Sequence, residues 1–157
     1  MNVAITSAGG GAVAVDLPED LRDLLASLAK QLAELIDDPD AADDPGLARL
    51  FPPAAVDDPM EALGFEKLMG DAIRAGKRES ASIVRATAHQ KRLTPDETLA
   101  WMRCLNDIRL LIGTRLDVRE DTDFEAMVDD PLLEQAAIVY VSLSELVEML
   151  SRAADPS

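Results

Sequence analysis

The residues of this 157-residue sequence that best combine chemistry with spacing are one asparagine and two arginines in the segment 95–116. On a helical wheel, Arg115 points into the apolar face of that segment, while Asn106, Arg109 and Gly113 follow a neighbouring flank. A buried guanidinium without a carboxylate or carbonyl partner would cost several kcal/mol, so partners are expected nearby. The cluster Asn106, Arg109 and Arg115 is therefore either a structural polar cluster that joins two helices, which we favour, or a pocket for a small anion or carboxylate.

A second feature is a stripe of four basic residues on a strongly acidic chain. Helical periodicity over 71–90 groups them on the side opposite the apolar residues; they are Arg74, Lys77, Arg78 and Arg85. Neutralisation by the chain's own acidic linkers is the interpretation that we favour. The alternatives are a docking surface for an acidic partner and, if the stripe is exposed, a nucleic-acid interface.

Motifs for catalysis or metal binding are weaker. His89 is the only histidine, no motif supplies its nucleophile, and we expect it to interact with the negative end of a helix. Cys104, the only cysteine, falls on an apolar helix side. The segment 121–125 resembles the start of a calcium loop, but Ala126 replaces the turn glycine and Leu132 the closing glutamate. We predict no catalytic residue, metal or cofactor, although a carboxylate-based active site stays open because thirty acidic residues would hide a special pair.

The elements that position these residues have well-marked starts. Two alternating runs around Gly9–Gly11 predict a β-hairpin, and Thr94 with Glu97 forms a capping box. Pro18 suits the start of a helix, and Gly70 is expected to break another. We predict a single, mainly α domain, a helical bundle of about five helices with a short N-terminal β-hairpin. Its segments are a hairpin (2–15), a helix (18–36), an acidic linker with a short helical turn (37–58), a broken helix pair (59–90), a signature helix (95–116) and a C-terminal helix (131–153).

Composition disfavours several classes of function. The chain has 30 acidic and 15 basic residues, and its net charge of −15 repels phosphates and anionic lipid headgroups. This charge disfavours a nucleic-acid partner. We also expect no membrane partner, because no apolar run approaches the roughly 20 residues of a membrane helix. A single cysteine and the lack of a signal peptide predict a cytoplasmic protein. The apolar helix faces could pack within one chain or across a homodimer.

The segment from Trp101 to Leu116 resembles the signature stretch of DUF2017, an actinobacterial family of unknown function. The resemblance is most specific in 106–110 (NDIRL) and 113–116 (GTRL), and the order of the preceding elements agrees with it. It implies a cytoplasmic protein without established activity or known catalytic residues, commonly encoded beside ClpS, the adaptor that feeds substrates to the Clp protease. Some members have been labelled transcriptional regulators. Members often look basic at the hairpin turn, where this chain departs from them with Ala8 followed by three glycines, so the resemblance implies no charge-based role for this hairpin.

These observations predict a non-enzymatic protein-interaction or regulatory domain with a protein partner. The resemblance implies a link between that partner and the Clp adaptor or protease system. The first alternative is a small-anion-binding protein or enzyme that uses the asparagine–arginine cluster. The second alternative is a transcriptional regulator.

Overall fold

The structure, a computed structural model, describes residues 3–38, 50, 59–115 and 134–155, with the backbone alone for 59–69 and 115. The segment 121–125, most of the linker and the expected start of the last helix at Pro131 lie outside the described residues. The described chain is mainly helical and begins with a β-hairpin, as predicted. Its elements are β1 (Ala4–Gly9), β2 (Ala12–Asp16), α1 (Glu19–Asp37), α2 (Pro59–Thr87), β3 (Arg92–Leu93), α3 (Pro95–Arg115) and α4 (Glu134–Ala154).

Two details of the predicted fold are wrong. The described ranges contain four helices rather than about five, because the expected broken pair over 59–90 is one helix, α2, that ends at Thr87. Gly70 lies within it, at a cost of about 1 kcal/mol relative to alanine. That cost is small beside the packing of α2 along both α1 and α3. The hairpin also gains a third strand, since β3 pairs antiparallel with β2 in the order β1-β2-β3.

The turn between β1 and β2 requires glycine. Gly9, Gly10 and Gly11 have φ angles of 97°, 62° and 92°, in the left-handed region that other residues rarely adopt. In the strand that follows, Val13 and Val15 are buried while their neighbours remain more exposed. α4 packs against β1 and β2, and this cover stabilises a hairpin that would be marginal alone.

α3 occupies the centre of the fold and is fixed at its start. The Thr94 backbone N–H donates to Glu97 Oε1 at 2.9 Å, and the Glu97 N–H donates to Thr94 Oγ1 at 3.1 Å. This is the predicted capping box. One turn further on, the buried Trp101 Nε1 donates to Thr87 Oγ1 at 2.7 Å, which joins α3 to the end of α2. The core around Trp101 draws on β2 and on all four helices, and includes Val13, Val15, Leu25, Leu32, Val84, Leu105, Ile108, Leu143 and Leu150.

Arg22 joins three parts of the chain from a buried position on α1. Arg22 is the only buried arginine among the described residues, with 5% of its surface exposed. It donates to four backbone carbonyls, those of Val15 (2.8 Å), Leu17 (3.2 Å), Ala88 (2.9 Å) and Gln90 (2.6 Å). The acceptors include carbonyls just beyond α2, where the negative end of the helix dipole favours a cation. Arg22 therefore ties β2 and α1 to the turn after α2.

Candidate functional site

The structure brings together two of the three residues of the predicted polar cluster. Arg109 Nη2 donates a hydrogen bond to Asn106 Oδ1, one turn earlier on α3, and both residues are half-buried. The Arg109 Nε atom is buried and has no hydrogen-bond partner within the described ranges. The side chain of Arg115 lies outside the described residues. Since Arg109 occupies the Asn106 oxygen, the Nδ2 amide is the group that Asn106 can offer to a further partner.

Gly113, on the same flank, is explained by a neighbouring helix. A Cβ atom at this position would lie 2.9 Å from Cε2 of Tyr140 on α4. Since such a contact is too short for two carbon atoms, glycine allows α3 and α4 to approach closely here. The packing of Tyr140 therefore accounts for this glycine without a ligand.

Most of the basic stripe is engaged in ion pairs. Three of its four members pair with carboxylates on the described helices, and their nitrogen-to-oxygen distances are 2.8 Å for Lys77–Asp107, 3.3 Å for Arg78–Asp37 and 3.4 Å for Arg74–Asp71. Arg85 is exposed and forms no ion pair with a described residue. Of the neutralising carboxylates, Asp37 falls in the predicted acidic linker (37–58), although the structure makes it the last residue of α1, whereas Asp71 and Asp107 belong to α2 and α3.

A polar groove of about 370 Å³ lies between α2 and α3. Its polar and glycine lining is Gly76, Lys77 and Ser80 from α2 and Arg103, Asn106 and Asp107 from α3. On each helix these residues are adjacent or three or four positions apart, so the facing turns of two packed helices bring them together. The groove thus contains Asn106 of the predicted cluster and Lys77 of the basic stripe, which the sequence did not connect.

Burial controls the ionisation of two groups beside this groove. Burial raises the pKa of Asp107 above its ordinary value, and the hydrogen bond and charge of Lys77 oppose that rise. Burial also raises the pKa of the Cys104 thiol to about 12, with a further contribution from the nearby Asp107 carboxylate. Cys104 is therefore a protonated core residue at neutral pH, because only a thiolate is a good nucleophile or metal ligand.

His89 makes contacts that the sequence did not predict. Its Nδ1 lies 2.7 Å from Glu19 Oε1 and its Nε2 lies 3.3 Å from Asp23 Oδ1, both in the first turns of α1. These three side chains are the one described group of acidic or histidine residues close enough to hold a metal ion. All three are exposed, and both imidazole nitrogens already face carboxylates, so the cluster is adequately explained as a contact between α1 and the turn after α2.

A second, apolar groove of about 550 Å³ separates α1 from α4. No extensive packing joins these two helices in the described ranges, and Val3 from the start of the chain lies between them. Leu24 and Ile138 on the two walls are 38% and 46% exposed. The charged lining residues are both acidic, Asp20 on α1 and Glu145 on α4. The remaining apolar lining comes from Leu21, Val139, Leu143, Leu146 and Met149.

The described ranges thus form a small, mainly helical domain with an apolar groove between α1 and α4 and a polar groove between α2 and α3, and these ranges show no recognisable catalytic constellation. None of the described helices has the length and apolar character needed to cross a membrane. The family profile "Domain of unknown function (DUF2017)" matches residues 3–154. The chain therefore belongs to the DUF2017 family. Comparisons with curated proteins and with solved structures gave no match.

Proposed function

We propose that this protein is a non-enzymatic protein-interaction domain that binds a basic amphipathic helix of a partner protein in the apolar groove between α1 and α4. The observation that carries the proposal is the position of the exposed apolar residues. Three large apolar side chains are exposed in the described ranges, and two of them line this groove, Leu24 from α1 and Ile138 from α4. Apolar side chains that are exposed together, rather than singly, are typical of interaction surfaces.

The shape of the groove suits a helix. Its α4 wall extends from Ile138 to Met149, which is about 16 Å, or three helical turns, at 1.5 Å per residue. A partner helix with apolar residues at positions i, i+3, i+4 and i+7 could fill a groove of this length. This mode of binding needs a largely apolar lining, to which Val3 and the apolar residues of α4 contribute.

The charge of the groove indicates which residue types should lie beside the apolar face of the partner helix. Asp20 and Glu145 line opposite walls, and neither forms an ion pair with a described residue. No lysine or arginine of the described chain lines the groove. Together with the net charge of −15, these carboxylates favour a partner with lysine or arginine beside its apolar face.

Fluorescence anisotropy with two synthetic helical peptides tests this proposal. Both carry leucines on one face, and they differ only in having lysine or glutamate at the flanking positions. We expect the lysine peptide to bind at least about tenfold more tightly, a difference that should shrink as salt is added. Equal affinity for both peptides, or no binding of either at low salt, would contradict the proposal.

Matched variants separate groove binding from general attraction to an acidic protein. Ile138→Glu should weaken binding of the lysine peptide about tenfold or more, because an apolar contact worth about 1.5–3 kcal/mol is lost. General electrostatic attraction would predict the opposite, since the variant adds a negative charge. Leu99→Glu is the control, because Leu99 is 40% exposed but lies outside the groove. Similarly, Glu145→Gln should weaken binding more than Glu34→Gln, which removes the same charge from an exposed position on α1 away from the groove.

Self-association is the competing use of the same surface. Sedimentation equilibrium of the unmodified protein and of Ile138→Glu distinguishes the two cases. A monomer in both supports an external partner. A dimer that the substitution dissociates would identify a second copy as the occupant and would overturn the proposal.

The family resemblance supplies a first natural partner to test. It implies a link with the Clp adaptor, so we propose purified ClpS as a binding candidate, with Ile138→Glu and Leu99→Glu as the paired variants. Binding that only the first substitution weakens would support a regulatory role in Clp proteolysis. Failure of ClpS to bind would contradict this Clp link, while the peptide experiment would still test the groove.

Nucleic-acid regulation is less well supported by the same observations. Lys77, Arg78 and Arg74 are engaged with carboxylates, so a phosphate backbone would have to displace those pairs. Only Arg85 of the stripe is exposed without an ion pair to a described residue. A DNA interface of useful affinity draws on several free cations.

A further inference from the structure

We infer that the polar groove between α2 and α3 binds a small molecule through a carboxylate or phosphate group. This inference is independent of the protein-interaction role, because the polar groove shares no lining residue with the apolar groove between α1 and α4. The groove differs from the cluster suggested by the sequence: Asn106 is common to both, but the cations are Lys77 and Arg103 rather than Arg109 and Arg115.

Two of the donors in the groove are held in place by internal partners. Lys77 Nζ is fixed 2.8 Å from Asp107 Oδ1 and retains further N–H groups for a ligand. Asn106 accepts from Arg109 through its oxygen, which leaves the Nδ2 hydrogens available. Because these side chains are already ordered, binding need not order them again, and affinity depends less on conformational entropy.

Two further donors have no partner in the described ranges. Ser80 is 6% exposed and lines the groove, yet its hydroxyl forms no hydrogen bond with a described residue. Arg103 is exposed at the groove and forms no ion pair there, even though Asp107 follows one turn later on α3. An oxyanion would satisfy both, since a guanidinium binds carboxylate or phosphate through paired N–H groups.

The local charge also favours an anion despite the acidic chain. The charged groups that line the groove are Lys77, Arg103 and Asp107. Lys77 and Asp107 offset each other, so Arg103 leaves the groove with one net positive charge. More distant carboxylates are screened over about 8 Å at physiological salt.

Gly76 on α2 lines the groove. A Cβ atom added to this residue would meet nothing within 4 Å, so the glycine is not required by packing with the described residues. Glycine inside a helix is nevertheless less favourable than alanine by about 1 kcal/mol. Because Gly76 lines the groove without a side chain, it leaves space there that a long side chain would occupy. The volume of about 370 Å³ falls within the range of small-molecule sites.

The test is a titration of the full chain by two-dimensional NMR, which reports the Asn106 side-chain amide directly. The probes are inorganic phosphate and citrate, with chloride at matched ionic strength as the reference. We expect one or both probes to shift the Asn106 Nδ2 resonances in a saturable way, and chloride to leave them unchanged. Saturation by phosphate alone or by citrate alone identifies the oxyanion. No saturable shift with either probe would overturn the inference.

Three variants make the result specific to this groove. Arg103→Gln should weaken binding about tenfold or more, whereas Arg85→Gln, an exposed arginine of α2 outside the groove, should leave it unchanged. Gly76→Met should abolish binding by filling the groove while it keeps or raises the melting temperature, since methionine is the better helix former. Equal loss in Arg103→Gln and Arg85→Gln, or unaltered binding by a folded Gly76→Met variant, would refute the site.

Discussion

Removal of the Arg22 guanidinium should be among the most damaging single changes to this fold. Arg22→Met keeps much of the aliphatic stem but leaves four carbonyls without their donor, and the bonds to those of Val15, Leu17 and Ala88 are buried. A buried carbonyl left unpaired costs about 1 kcal/mol or more. Three such groups predict that the free energy of unfolding falls by about 3–5 kcal/mol, a large part of the stability of a typical domain. The fourth acceptor, Gln90, is only partly buried and should be rehydrated at little cost.

Urea denaturation followed by the fluorescence of Trp101, the single and buried tryptophan, measures this loss. Arg22→Lys should give an intermediate loss, because an ammonium keeps the charge without the planar fork that reaches several carbonyls. Arg85→Met is the matched control and should change stability by no more than about 0.5 kcal/mol. A loss below about 1 kcal/mol in Arg22→Met, or an equal loss in the control, would refute the role assigned to Arg22.

Three further predictions follow from the contacts around α3. Gly113→Ala should lower the melting temperature, because its Cβ would clash with Tyr140. Gly76→Ala lies in open space and should raise the free energy of unfolding by up to about 1 kcal/mol. Calorimetry in which Gly113→Ala is the more stable of the two variants would contradict this prediction. Cys104, whose thiol pKa is about 12, should resist a thiol reagent at neutral pH in the folded protein and react once unfolded; rapid native labelling would count against its burial. The pKa of Asp107 is raised on folding above 3.8, its ordinary value. Ionisation of Asp107 should therefore lower the stability of the folded protein as the pH rises above 3.8. Asp107→Asn should remove that component, and identical pH profiles of stability in the two proteins would disprove the assignment.

Two features whose interacting groups lie close together in the sequence are confirmed. The capping box of Thr94 and Glu97 and the glycine turn at 9–11 both appear where the sequence indicated. These signals are reliable because the groups that satisfy each other lie within a few positions along the chain. The predicted helix break at Gly70 is wrong, because the low helix propensity of one glycine is weak beside the packing of α2 against α1 and α3. The sequence did not indicate β3, because a two-residue strand is too short to show a pattern.

The candidate sites were predicted less completely than the fold. Asn106, Arg109 and Lys77 were identified from their types and periodicity, but Ser80, Arg103 and Asp107 were not connected with them. The signal that could have found Asp107 is a carboxylate one helical turn beyond Arg103, on a helix expected to pack against a basic one. The apolar groove gave no sequence signal, because Leu24 and Ile138 lie among other apolar residues that are buried.

The sequence by itself determined that this is an acidic, mainly helical chain with an N-terminal hairpin and a polar flank on α3. These properties follow from composition and local periodicity, which need no knowledge of distant contacts. Only the tertiary structure decided which polar groups meet: Arg22 with carbonyls up to 68 residues away, and Lys77 with Asp107 at a separation of 30. It also decided which apolar faces remain uncovered. The physical reason is that burial and ion pairing depend on how the helices pack, and the same periodic face is core or binding surface according to what lies against it.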